Sequence, residues 1–197
     1  MMKKALSLLL ALALILSLGT AFAYAPKVIS GDTLELTIYH TNDTHGRTVN
    51  RTLNADAVTL AKIAGKVEAD RAAGKNVLLL DAGDTFHGDI NANLFSGYTV
   101  VKVLNEAGYD AMVPGNHDFN YGSERLLKLA SYARFDVLAA NVTKDGAPLL
   151  EDCVVKKIDG VRIGIFGLAT PETVYKSHPS NTAGLTFEDE IETAAAY

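Results

Sequence analysis

The sequence predicts an α/β fold, a layered sandwich with parallel strands at its centre, and three observations carry that reading. The order strand, polar loop, helix occurs three times in succession between residues 34 and 133. Strands alternating with helices in this way form crossovers and a parallel sheet. Residues 76–81 (NVLLLD) are a continuous apolar burst rather than an alternation, as in strands covered on both faces. Finally, each strand runs into a loop rich in Gly, Asp, Asn and His. In open α/β sheets, ligands gather outside the carboxyl ends of the strands.

Taken in order, the chain begins with a segment that is not part of this fold. Met1-Met2-Lys3-Lys4 is positive, residues 5–18 are apolar, and Ala21-Phe22-Ala23 offers a small-x-small cleavage pattern. This is the layout of a signal peptide over residues 1–23, and the apolar run is too short for a comfortable membrane span. An exported protein is expected (secreted, periplasmic or cell-surface), with no stable membrane span after cleavage. Residues 24–31 read as a linker, and residues 32–197 are long enough for one domain with a proper core. The formal charge of −5 becomes more negative once Lys3 and Lys4 are removed. With no basic run, the chain lacks the electrostatic footprint of a nucleic-acid binder. The single Cys153 cannot form an internal disulfide, and its neighbours Val154 and Val155 predict a small buried hydrophobe.

Within the domain, Leu34, Leu36 and Ile38 alternate as an opening strand that ends in Asn42-Asp43-Thr44-His45-Gly46. Residues 57–73 carry Leu60, Ile63, Ala64 and Val67 at helical spacing, with Gly74 as the stop. The 76–81 strand enters Ala82-Gly83-Asp84-Thr85-Phe86-His87-Gly88. Residues 99–107 form a second helix closed by Gly108, and strand 111–113 enters Pro114-Gly115-Asn116-His117-Asp118. A third helix over 123–133 precedes a strand at 137–140. Residues 153–158 and 161–166, joined by Asp159-Gly160, read as a hairpin, which sets antiparallel pairing beside the parallel core. Residues 187–193 start like a helix with acids in the first turn. The chain stops at Tyr197 about two turns in, where a helix is marginal. The expectation is a fold incomplete at its C-terminus, residues 32–197 being the N-terminal part of a larger domain.

The polar loops carry the chemistry. Asp43 and His45 offer a hard oxygen and a borderline nitrogen two residues apart, a pair suited to one metal ion. Two ions roughly 3.5–4 Å apart need a bridging carboxylate, and the middle loop supplies Asp84. Asn116 offers a neutral oxygen to a second ion, leaving His117 as proton donor or phosphoryl-oxygen stabiliser. Gly83, Gly88 and Gly115 suit backbones that pass close to an ion or take positive φ. For any one loop, ordinary turn residues are the better reading. Three such loops in chain order favour a metal site. Carboxylate, amide and imidazole together admit Zn, Mn, Mg or Ca.

Asn42-Asp43-Thr44-His45-Gly46, Gly83-Asp84-Thr85-Phe86-His87-Gly88 and Gly115-Asn116-His117-Asp118 closely resemble the D-x-H, GD and GNH(D/E) motifs of calcineurin-like metallophosphoesterases. The TNDTHGR form, Phe119 and Gly167-Leu168-Ala169-Thr170-Pro171-Glu172-Thr173 resemble the 5′-nucleotidase branch more narrowly. The resemblance runs from Leu34 to the end of the chain. It implies an α/β/β/α sandwich with a mixed sheet, a two-metal centre and a nucleotide substrate. Nucleoside 5′-monophosphates would be hydrolysed to nucleoside and phosphate by water attack. UDP-sugar hydrolysis and 2′,3′-cyclic-nucleotide phosphodiester cleavage are the alternatives, and a non-catalytic fragment is the rival. Position by position, Asp43 and His45 resemble ligands of the first ion, Asp84 the bridging ligand, Asn116 a ligand of the second and His117 the catalytic histidine. Asn120 stands where many members carry the aspartate that orients that histidine; an amide can hold an imidazole but cannot stabilise an imidazolium as a carboxylate does. The family's further metal-binding histidine, its later Gly-His-x-His segment and its C-terminal substrate domain have no counterpart in the 197 residues. His40, His87 and His178 read as loop or supporting residues rather than ligands.

Overall fold

Four parallel strands carry the candidate site at one edge. In the computed structural model, which describes residues 33–48 and 58–197, they are β1 (Thr37–Thr41), β2 (Val77–Asp81), β3 (Ala111–Met112) and β4 (Asp136–Val137), in that spatial order. The expected signal peptide, linker and first residue of the first helix lie outside the described residues. The register pairs Thr41 with Asp81 and Asp81 with Met112, so the three chain exits leave side by side. Residues Leu34–Tyr197 form one compact unit.

The helices between the strands begin and end where local chemistry dictates. Helix α1 (Leu60–Ala72) starts at Thr59, whose hydroxyl accepts from Lys62 N at 3.2 Å, satisfying one of the free N–H groups of the first turn. Helix α2 (Ile90–Leu94) has Asp89 in the same role. Helix α3 (Tyr98–Ala107) stops at Gly108 in the left-handed conformation, φ 75°, as expected from the sequence. Helix α4 is Ser123–Ala130, one turn shorter than the apolar spacing suggested. The helices pack on the sheet through fully buried Leu79, Phe86, Val100, Leu104, Phe119 and Leu126. Burying each of these stabilises the fold by roughly 1.5–3 kcal/mol.

Antiparallel pairing does lie beside the parallel core, as sheets of its own. Strand β5 (Val142–Lys144) pairs with β6 (Ala147–Pro148) and with β9 (Leu185–Phe187). Strands β7 (Cys153–Ile158) and β8 (Val161–Phe166) form the expected hairpin. Its Asp159 (φ 46°) and Gly160 (φ 82°) are both left-handed, the geometry a two-residue turn of this hand requires. Two short helices follow, α5 (Thr173–Lys176) and α6 (Glu190–Ala194).

Several expectations need correction. The opening strand starts at Thr37 rather than Leu34, and its apolar alternation does not point into the helical layer. Ile38 is 54% exposed, while Thr41 is buried and Tyr39 Oη donates to Asp70 of α1 at 2.6 Å. Tyr39 anchors its face of β1 to Asp70, which is buried and also paired with Lys66 and Lys75, and Ile38, one residue earlier, lies on the opposite face. Strand β4 is two residues long, and Leu138 makes an isolated bridge to Glu151 instead of extending it. Residues 185–187, partly read as a helix start, are strand β9. Cys153 is half-buried rather than buried, because no residue of its hairpin is fully covered on either face. His40 lies on β1 rather than in a loop, exposed beside an apolar groove lined by Leu80, Met112 and Ile165.

Candidate metal centre

The loops leaving β1 and β2 are held in conformations their residues would not choose freely, and the loop leaving β3 packs against the second of them. Asp43 (φ 55°), His45 (φ 49°) and Asp84 (φ 54°) all occupy the left-handed region, which costs a side-chain-bearing residue of order 1–3 kcal/mol. Cross-loop hydrogen bonds impose it. Asp43 N donates to Gly83 O at 3.0 Å, His45 N to Asp84 O at 2.8 Å, and Asp89 N to His45 O at 2.7 Å. Loops two and three touch so closely that a Cβ on Gly83 would strike the backbone of Gly115, and one on Gly115 would strike the Asp84 carboxylate. Both positions exclude a side chain.

Two buried carboxylates below the loops explain how this holds. Asp118 is fully buried and accepts four backbone N–H groups: Gly115 and Asp84 at 2.8 Å, Thr85 at 2.9 Å and Phe86 at 2.6 Å. It ties loop two to loop three. Burial pushes its pKa up to about 6, against the pull of these bonds. Asp81, at the end of β2, accepts from Thr41 Oγ1, from Thr85 Oγ1 at 2.8 Å and from Gly83 N at 2.9 Å. Burial raises its pKa to about 7. Tyr109 completes the network, its hydroxyl 2.8 Å from Thr41 Oγ1 and its pKa raised by burial. Neither acid was singled out from the sequence. For Asp81 the available signal was a carboxylate ending an apolar strand, where a charge is costly unless bonded; Asp118 was visible only as the last letter of a motif.

Above this floor the side chains converge. His45, Asp84 and His117 each present a ligand atom, all within 4.8 Å of one another. Asp43 Oδ1 is 3.9 Å from His45 Nε2, and its other oxygen accepts from Asn42 Nδ2 at 2.8 Å. Asp84 Oδ1 accepts from His117 N at 2.7 Å. Asn116 opens the 3-10 turn Asn116–Phe119, one residue before His117, and its carbonyl accepts from Ser177 Oγ at 2.8 Å. At the other end of that turn, Asn120 O accepts from Asn181 Nδ2 at 3.0 Å. The segment after α5 therefore braces both ends of the turn that carries His117.

Asn120 meets His117 with Nδ2 2.9 Å from Nδ1. The same amide nitrogen lies 3.3 Å from Nδ1 of His87. The rings of His87 and His117 stack at 5.6 Å, and His45 meets His117 edge-on at 4.9 Å. His87 thus belongs to the cluster more closely than its loop position suggested. Burial first, and then its histidine neighbours, hold its pKa below the usual value. His178 stays outside: it is exposed, with Nδ1 2.7 Å from Ser180 Oγ. Carboxylates and imidazoles on braced loops, with no apolar group among them, are a donor set that fits a divalent cation.

Parallel strands, strand-end loops and this donor set define a class. The chain belongs to the calcineurin-like phosphoesterase family, whose model matches residues 36–194, and membership implies divalent metal ions. Within that family it is similar to 5′-nucleotidases. The snake venom 5′-nucleotidase of Gloydius brevicauda is 35% identical over 193 residues, which cover 91% of this chain and 32% of the relative. The 5′-nucleotidase of Rattus norvegicus is 38% identical over 172 residues, covering 80% and 30%. The solved 5′-nucleotidase precursor of Thermus thermophilus superposes with a TM-score of 0.69 at 34% identity, over 81% of this chain and 33% of that one. The chain spans about a third of the length of the relatives it matches. Among the described residues, no helix is long and apolar enough to cross a membrane.

Proposed function

We propose that the chain is the metal-binding part of an exported phosphoesterase of 5′-nucleotidase type, hydrolysing nucleoside 5′-monophosphates to nucleoside and phosphate. The observation that carries this reading is the meeting of His45, Asp84 and His117 donor atoms within 4.8 Å, each from a different strand-end loop. Asp43 and His45 would hold a first ion, Asp84 would be shared, and Asn116 would serve a second. When bound, such cations supply positive charge against phosphoryl oxygens and an attacking water of lowered pKa. The side chains do the rest. His117 donates an N–H to the phosphoryl group, where charge develops, and Asn120 positions His117 through Nδ1. Export rests on the layout of residues 1–23 and on relatives described as venom proteins or precursors. UDP-sugars and 2′,3′-cyclic nucleotides present the same phosphoryl chemistry and are the alternative substrates.

The second reading is a chain that holds metal without turnover. Release of phosphate from AMP, of UMP and glucose 1-phosphate from UDP-glucose, and of adenosine monophosphate from 2′,3′-cyclic AMP, each with Mn²⁺ or Zn²⁺, decides. Turnover with AMP that is lost on chelation and on His117→Ala supports the nucleotidase. Metal uptake without turnover supports the second reading, and a chain that neither binds metal nor turns over refutes both.

A further inference from the structure

His87 lies beside the candidate centre without a role in the chemistry so far. It stands nearly parallel to His117, with 9° between ring planes. Its other neighbour is the tilted ring of Tyr121 at 5.2 Å, whose hydroxyl donates to Asn93 Oδ1 at 2.8 Å. One group joins the two imidazoles: Asn120 Nδ2, 2.9 Å from His117 Nδ1 and 3.3 Å from His87 Nδ1.

An amide nitrogen carries two hydrogens and accepts none. With the amide oriented so that Nδ2 faces both rings, each Nδ1 presents a lone pair, and in a neutral ring the proton then sits on Nε2. Among the described residues, no side chain or backbone group hydrogen-bonds to Nε2 of either ring. Asn120 itself is held by Asn181 through its backbone carbonyl, which steadies the residue carrying the bridging amide. Resting on the phosphoesterase reading, we infer that His87 is a second donor to the substrate. Asn120 sets His87 and His117 as a pair of Nε2–H donors for two oxygens of one phosphate group. A carboxylate at residue 120 would accept from Nδ1–H and leave Nε2 a donor only on a protonated ring, whereas the amide leaves Nε2–H on a neutral one. Asn120 is then a positioning residue for both rings, and the amide in place of a carboxylate acquires a purpose.

The test is nuclear magnetic resonance of the full chain labelled with ¹⁵N in histidine, metal-free and at a pH where the imidazoles are neutral. Ring-nitrogen shifts should show an unprotonated Nδ1 and a protonated Nε2 on both His87 and His117. Asn120→Asp should move the His117 proton to Nδ1, and Asn120→Ala should leave both rings as tautomer mixtures. With magnesium present, inorganic phosphate should shift the Nε2–H signals of both rings. His87→Leu should weaken phosphate binding about tenfold, the worth of one charge-assisted hydrogen bond, and His87→Gln, which keeps an N–H, should recover most of it. A proton on Nδ1 of His87 in the parent protein would overturn the inference. So would a His87 Nε2 indifferent to phosphate, whether or not His117 responds. The tautomer readout needs neither metal nor turnover, so its failure is separable from failure of the phosphoesterase reading.

Discussion

The carboxyl edge of the parallel sheet and the β7–β8 hairpin are built on opposite terms. At the edge, conformations are unfavourable and contacts compensate: three left-handed non-glycine residues are held by cross-loop hydrogen bonds and by buried Asp81 and Asp118. In the hairpin the turn residues and most of the strand residues suit their places, from the valines and isoleucines to Asp159-Gly160, yet Val155 is 48% exposed and Phe166 is 40% exposed. Strain that the surroundings enforce marks a place where geometry matters for something other than stability. Local ease without burial marks a place where substitution costs little.

The largest effect should come from Asp118. Asp118→Ala strands four buried N–H donors and should cost about 3–5 kcal/mol in chemical denaturation, the range for breaking a buried charged network. Asp118→Asn keeps one acceptor oxygen and should lose less. If the alanine variant were as stable as the parent, the edge would not depend on that carboxylate.

A smaller effect should appear with pH. The folded-state pKa of Asp81 is raised by burial to about 7, so the folded chain holds a proton that the unfolded chain has already released. Its contribution is fully present below the ordinary carboxylate pKa and is lost as pH rises through about 7. Metal-free protein should be on the order of 2 kcal/mol less stable at alkaline than at mildly acidic pH from this group. Asp81→Asn should flatten that slope, and an unchanged slope would assign it elsewhere.

In the hairpin, Val155→Thr should stay within about 0.5 kcal/mol of the parent, as exposed substitutions usually do. A loss above roughly 2 kcal/mol would mean that the hairpin is covered in solution, and the contrast would fail.

What the sequence made legible follows the same division. Asp43, His45, Asp84 and His117 could be read because each lies a few residues past a strand and brings a polar break in an apolar pattern. Asp118 escaped because three of its four donors lie more than thirty residues away, and Asp81 because its bonds to Thr41, Gly83 and Thr85 form only once β1 lies beside β2, and no periodicity records either. His87 was undervalued for the same reason: its partners, Asn120 and Tyr121, are more than thirty residues away. The β5–β6 hairpin carried an Asp145-Gly146 signal as clear as Asp159-Gly160, with both residues left-handed. Its strands are too short to alternate visibly. Helix α2, five residues long, cannot show a helical period at all. Ile38 followed its alternation yet faces outward, on the face of β1 opposite Tyr39 and its bond to the buried Asp70.

Metal binding itself tests the centre most directly. Calorimetric titration of Zn²⁺ and Mn²⁺ into the parent chain, Asp84→Ala and His117→Ala should give a saturable isotherm for the parent. It should be lost in Asp84→Ala, whose side chain lies between the other two loops, and nearly intact in His117→Ala. Asp84→Ala binding metal as the parent does, or equal losses in the two variants, would contradict the assignment of Asp84 as shared ligand and His117 as the group that acts on the substrate.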